Sequence, residues 1–387
     1  MSEDVGLDPT PPVWDDAPGL GLPSLGGVAE ADVCVVGLGG SGLAAVRALR
    51  AAGRSVIGLD AGEVACGAAG RNGGFLLAGL YDFYHDAVRQ FGRDRARRLY
   101  GLTTGEVARI AAETADAVRV VGSLRVAASP DEEDDCRAQL AAMRADALPA
   151  EWYDGPEGRG LLVPTDAAMQ PLRRVRALAT LALGDGARLF ERSAAVEIAG
   201  DRVRTADGEV RCRAVVVAVD GALDRLLPEL AGPPHAPRVR TARLQMLATA
   251  PTSEVHVPRP VYRRWGYDYW QQLPNGALAL GGARDVGGES EWTHDARPTA
   301  PVQRALETLL RDVIGVRAPV VTRWAALVGY SDTGLPVLEE VRPSVWACGA
   351  YSGTGNVLGA LCGRAAALHA AGAPDAAARE LEALLRG

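Results

Sequence analysis

The chain contains no lysine. Its 41 lysine-plus-arginine positions are all arginine, and the only other basic side chains in 387 residues are five histidines. Without a lysine amine there is no Schiff base to pyridoxal phosphate and no phosphate-loop lysine. Cysteine is sparse: Cys34, Cys66, Cys136, Cys212, Cys348 and Cys362 are scattered, with no C-x-x-C pair. They read as reduced, mostly buried thiols. His85, His235, His256, His294 and His369 lie far apart, so no metal-ligand spacing emerges. No apolar run reaches the roughly 20 residues that span a bilayer. No basic segment followed by an apolar stretch opens the chain. A cytoplasmic protein without membrane contact is expected. The formal net charge of −7 excludes a basic nucleic-acid footprint.

What remains is an ordinary globular composition, 48% hydrophobic and 23% charged, long enough for two interleaved domains. Residues 1–30 are rich in Pro and Gly and read as an irregular lead-in. Ala31–Gly37 is a short apolar run ending in glycine, a buried strand. Gly40–Ala52 reads as a helix stopped by Gly53, and Ser55–Asp60 as a second strand. Helices are expected over 82–121, 131–147, 170–183, 304–314 and 356–371, and strands over 188–198, 202–205, 211–219, 238–249, 262–273, 277–281 and 345–349. Buried strands recur at both ends of the chain, so one domain is assembled from separated segments. Residues 31–81, 150–235 and 325–387 are assigned to a dinucleotide domain, and 82–149 with 236–324 to an inserted substrate domain. The fold class is α/β with an α+β insert: a Rossmann-like domain and a mixed β-sheet.

Gly37-Leu38-Gly39-Gly40-Ser41-Gly42 fits G-x-G-x-x-G between strand and helix. Gly37 permits the tight turn, Gly39 lets the backbone approach a pyrophosphate, and Gly42 lets helix and strand pack closely. The helix start presents unpaired N–H groups to the phosphates. Asp60 closes the second strand, where a carboxylate accepts from a ribose hydroxyl and repels a 2′-phosphate. A second glycine-rich loop follows, Gly67-Ala68-Ala69-Gly70-Arg71-Asn72-Gly73-Gly74. A nicotinamide site has no need of it. A flavin laid across the domain does, so FAD is the expected cofactor.

These residues resemble the D-amino acid oxidase, glycine oxidase and sarcosine oxidase family of FAD enzymes, nearest the γ-glutamylputrescine oxidase branch. Trp14-Asp15-Asp16-Ala17-Pro18 and the GAAGRNGG loop are similar to that branch. Arg243–Thr249 (RLQMLAT) resembles a family strand, with Leu244 in place of its glycine. Tyr269–Gly282, the Gly329–Pro336 loop and the Gly349–Gly355 loop resemble further family segments, with Thr354 replacing a histidine. The resemblance implies an FAD domain of glutathione-reductase type. It assigns the cofactor to Gly37, Gly39, Gly40, Ser41, Gly42, Asp60, Ala61, Gly70, Arg71, Asn72, Gly73, Gly74, Val196, Gly334, Pro336, Gly349, Gly353, Thr354, Gly355 and Asn356. In the sarcosine oxidases a linking cysteine falls just before this loop; here that stretch, Ala325–Gly329, holds none, so FAD is expected to be non-covalent. Cys66 and Cys348 lie near the flavin loops and read as packed thiols.

Substrate contacts are expected from Arg243, Gln245, Tyr269, Gln271, Trp324, Tyr330 and Tyr351. Arg243 would clamp a carboxylate, with Arg263, Arg264 and Arg284 as rivals. Trp265, Tyr267, Tyr269 and Trp270 form an aromatic cluster, either a pocket wall or a packed interface. The implied activity is oxidation of the C–N bond of a small amine or amino acid. A hydride passes to flavin N5, the imine hydrolyses, and O2 is the acceptor. The alternatives are a dehydrogenase, a biosynthetic oxidase acting on a ring or carrier-bound substrate, and a non-catalytic flavin-binding subunit. In sarcosine-oxidase relatives a lysine supplies the positive charge for the oxygen reaction. Without a lysine three outcomes stay open: an arginine (Arg71 or one of the inserted sheet) or a protonated histidine replaces it, the substrate's own ammonium does so, or the enzyme reacts slowly with O2 and passes electrons to another acceptor.

Overall fold

The computed structural model describes residues 7–233 and 235–386. The expectations for residues 1–6 and 387 lie outside them. The chain divides into two compact units, each made of three segments. The first comprises residues 1–16, 71–171 and 242–327, the second 17–70, 172–241 and 328–387.

The second unit is built on a six-stranded sheet. Its order is Arg188–Phe190, Val56–Leu59, Val33–Val36, Ala214–Val217, Val345–Gly349 and Val337–Arg342. The first five strands run parallel and the last antiparallel. The runs VCVV, VIGL, AVVV and VWACG are buried at every position, as covered parallel strands must be. Gly58 is required inside one of them. A Cβ there would stand 2.6 Å from Leu38 Cδ2 and 2.9 Å from Leu189 Cδ2. The helix Gly40–Ala51 ends before Gly53, whose φ of +73° is the left-handed stop. Helix Leu358–Ala370 packs on it, with Gly363 directly against the Ser41 backbone.

The first unit carries most of a mixed eight-stranded sheet. Its order is Val320–Ser331, Val239–Thr249, Leu278–Gly282, Asp268–Gln272, Val261–Arg263, Ser123–Val126, Gly158–Val163 and Glu151–Gly155. Period-two alternation gives this sheet two different faces. Leu247, Leu280, Trp270 and Val261 share one, which buries itself with Val302 and Leu306 of helix Ala300–Thr308. Met246, Gly281, Tyr269 and Tyr262 share the other.

Several boundaries differ from expectation. Gly27–Glu30, expected to be irregular, is a strand paired with Gly208–Arg211. The single helix expected over 82–121 is broken at Gly92 (φ +83°) into Tyr84–Phe91 and Arg93–Glu113, with a strand at Val118–Val120. The strand expected over 188–198 divides into Arg188–Phe190 and Glu197–Ala199. Between them the Glu191 carboxylate accepts the N–H groups of Leu22 and Val64, and Ser193 Oγ that of Leu25.

Candidate active site

The glycine turn in the second unit has the geometry its spacing requires. Gly37 has φ +97°, and a side chain there would run into the Ala218 carbonyl, with Val219 Cγ1 at 3.1 Å. A Cβ on Gly42 would collide with the Gly37 carbonyl. Cβ atoms on Gly39 and Gly40 would stand 3.2 Å from Ala69 Cβ and 3.3 Å from Arg174 Nη1. Arg174 was not foreseen. It is 1% exposed and brings a buried positive charge to the helix start where a pyrophosphate is expected, a signal lost among the arginines of an amphipathic helix. Asp60 accepts N–H groups from Leu38 (2.8 Å) and Gly62 (3.0 Å). Burial raises its carboxyl above the ordinary range. Oδ1 also accepts the Cys66 thiol at 3.8 Å, and Oδ2 keeps a lone pair for a ribose hydroxyl. A Cβ-free cradle, a helix start, a buried guanidinium and a carboxylate fit a dinucleotide. Ala61 is exposed beside Asp60. Val196 is 67% exposed, its N–H donated to the Arg204 carbonyl.

The Gly329 and Gly349 loops meet in the same unit. Tyr330 and Tyr351 form an isolated antiparallel bridge, and Ser352 N–H donates to the Gly329 carbonyl at 2.9 Å. Gly334 (φ +75°), Gly353 (φ +93°) and the buried Pro336 sit in these loops, and Thr354 Oγ1 donates to the Tyr351 carbonyl. The Tyr351 ring packs against Gly355 and Gly359 and is buried. It fills the interior beneath the loop, so the substrate contact expected of it passes to a packing role. Cys348 is buried, its thiol pushed up to about 12 by burial, while Cys66 is exposed.

In the first unit, the loop Arg71–Gly74 is held from several sides. Trp324 Nε1–H donates to the Arg71 carbonyl (2.8 Å) and Trp14 Nε1–H to the Asn72 carbonyl (2.9 Å). Asn72 Oδ1 accepts from Gly74 N–H (2.8 Å). Gln271 Nε2 donates to the carbonyls of Gly73 (2.6 Å) and Gly74 (3.1 Å). Tyr269 stands over the loop: a Cβ on Gly73 would lie 3.2 Å from its ring. Phe75, Tyr262 and Tyr269 form an edge-to-face trio with centroids 5.1–6.1 Å apart. The aromatic cluster expected at 265–270 divides. Trp270 faces the core, Tyr269 faces the loop, and Trp265 and Tyr267 are exposed.

The structure brings Tyr269, Gln271 and Trp324 to this loop and takes Arg243 and Gln245 away from it. Both alternate with Tyr269's neighbour Met246 and so lie on the face packed by helix Ala300–Thr308. There all five Arg243 donors are used: two on the Glu291 carboxylate and three on the carbonyls of Ser290, Asp295 and Arg297. Gln245 joins Glu291, Thr299 and Gln303. A clamp with no donor left cannot hold a carboxylate, so the role expected of Arg243 is corrected. Among its rivals, Arg264 pairs with Asp268 and Asp285, Arg263 lies 3.7 Å from Asp268, and Arg284 sits over Tyr267 and Trp292.

Among the described residues, no helix is long and apolar enough to cross a membrane. Residues 32–368 match the family described as DAO, FAD dependent oxidoreductase. The chain is 26% identical over 372 residues to the "Probable oxidoreductase OrdL" of Rhizobium meliloti (strain 1021), covering 89% of this chain and 83% of that protein. It is 32% identical over 219 residues to the gamma-glutamylputrescine oxidoreductase of Escherichia coli (strain K12), covering 52% of this chain and 51% of that protein. Its fold is like that of glycine oxidase from Geobacillus kaustophilus, with TM-score 0.71, 19% identity and coverage of 90% and 96%. It is also like that of L-proline dehydrogenase from P. horikoshii, with TM-score 0.73, 17% identity and coverage of 92% and 96%. The chain belongs to the DAO family of FAD-dependent oxidoreductases.

Proposed function

We propose that the protein oxidises the C–N bond of a small amine or amino acid, with non-covalent FAD and with O2 as the acceptor. The observation that carries this reading is the aromatic trio Phe75, Tyr262 and Tyr269 standing on the Arg71–Gly74 backbone. An apolar wall desolvates an ammonium and favours the neutral amine, the form from which a hydride can leave. Relatives named for gamma-glutamylputrescine, glycine, L-proline and L-amino acids support the same substrate class. FAD held by the chain would supply the hydride acceptor at N5, and water would hydrolyse the imine.

The chain's own residues bind and orient. Gly37–Gly42, Arg174 and Asp60 would hold the dinucleotide. Trp14, Trp324 and Gln271 keep the Arg71–Gly74 backbone rigid, and Tyr269 sets the face over which the substrate carbon lies. Orientation of this kind supplies much of the rate. Arg71 supplies the positive charge that favours electron transfer to O2, the role a lysine plays in sarcosine-oxidase relatives. Its Nη1 lies 3.4 Å from the Ala325 carbonyl.

Acid precipitation tests the attachment: yellow colour in the supernatant supports non-covalent FAD, and colour kept in the pellet refutes it. Stopped-flow reoxidation tests the acceptor. A rate near that of free reduced flavin, with fast reduction of a dye, would replace the oxidase by a dehydrogenase.

A further inference from the structure

Two backbone segments of the second unit donate to one partly buried carboxylate. Asp220 follows the strand Ala214–Val217. Its Oδ2 accepts the Gly329 N–H and its Oδ1 the Tyr351 N–H, each at 3.2 Å. The approach is close enough to need glycine on both sides. A Cβ on Gly329 would stand 2.9 Å from the Asp220 carbonyl oxygen and 3.1 Å from Oδ1, and one on Gly349 would stand 3.1 Å from the Asp220 Cα. Backbone strain gathers at the same point. Asp220 has φ +44°, Ala350 +52° and Ser352 +51°, three non-glycine residues in the left-handed region. Such strain persists only where the surroundings over-determine it, and it clusters at working sites.

A carboxylate is an expensive way to join two loops. Two backbone carbonyls would satisfy the same N–H groups without desolvating a charge. What a carboxylate adds is a fixed negative potential. We propose that Asp220 is a positioning residue. Through the Gly329 and Tyr351 amides it locks the two loops together, and its charge holds down the reduction potential of the bound flavin. The proposal rests on the reading that the 329–336 and 349–356 loops hold FAD. Adding electrons to a flavin adds negative charge, which a partly buried anion in the same unit opposes. The two amides spent on Asp220 are also unavailable to stabilise the reduced ring.

The test is the midpoint potential of the FAD-loaded enzyme at pH 8, compared with Asp220→Asn. Asparagine tolerates a positive φ and keeps one acceptor, so this variant is the one expected to fold. The proposal expects the reduced-to-oxidised ratio at a fixed potential to rise at least tenfold, about 30 mV upward for a two-electron couple. An unchanged or lowered potential at full flavin occupancy overturns it. Asp220→Ser removes the same charge with a smaller side chain and carries the same expectation if the first variant does not fold. A purely structural carboxylate would change the melting temperature and leave the potential alone. A parent enzyme that binds no FAD would fail the reading of the site, which is a different result.

Discussion

Trp14 and Trp324 donate their indole N–H groups to adjacent carbonyls, those of Asn72 and Arg71. Their rings meet edge to face at 6.5 Å. Both are buried, at 1% and 0% exposure. The loop that would face the flavin is thus pinned by two large side chains from distant parts of the chain. Trp324→Phe keeps one aromatic ring but removes the donor and the fused pyrrole ring, leaving a buried carbonyl without its partner and a small cavity. A loss of about 1–3 kcal/mol is expected, read as a lower melting temperature together with weaker FAD retention. Melting and flavin content equal to the parent's would show that the indole bond does not hold the loop.

Arg243→Ala should act on stability and not on substrate affinity. It strands the Glu291 carboxylate, which is 0% exposed, and takes a partner from a network shared with Gln245. Breaking a buried pair from one side costs about 3–5 kcal/mol. Urea unfolding checks this. A variant of parental stability with a raised KM would restore the substrate clamp.

The two residues explain how much of the site was legible beforehand. The Gly37–Gly42 turn was readable because its requirement is local: strand, turn and helix lie within a few residues. Arg243 and Gln245 were misplaced because the face a strand residue occupies depends on its neighbours in the sheet, which local sequence does not reveal. Tyr269 and Gln271 lie on the loop side of that sheet by the same alternation. Trp14 looked like part of an irregular lead-in, since its partner lies 58 residues away. Arg174 and Asp220 carry no local mark at all. An arginine in a helix and an aspartate after a buried strand acquire meaning only from what folds against them.

Asp166 makes stability depend on pH. It is buried, accepts from Ala78 N–H and Ser123 Oγ–H, and burial pushes its carboxyl up to about 7. A carboxyl whose folded value lies above its unfolded value near 3.8 stabilises the fold below that lower value. The contribution is lost as pH rises through about 7. Asp220, raised to about 6, acts in the same direction. Asp166→Asn keeps an acceptor for Ala78 and offers a donor to Ser123. It should be more stable than the parent at pH 8, by up to about 4 kcal/mol, and should lose that advantage at pH 4. Parallel melting curves for the two proteins across this range would contradict the assignment.

Asp60→Ala removes the acceptor for Leu38 and Gly62 and the expected ribose ligand. Charge-assisted bonds of this kind contribute about 1.5–3 kcal/mol each, so the variant should lose FAD on dialysis while the parent keeps it. Full occupancy after dialysis would remove Asp60 from the cofactor site.

The most direct test of the central reading is anaerobic titration of the FAD-loaded protein with a panel of small amines and amino acids, following the visible flavin absorbance. Bleaching by at least one of them, with the Tyr269→Ala variant bleaching more slowly at equal flavin content, is the predicted result. A fully loaded flavoprotein that no amine or amino acid bleaches would contradict it.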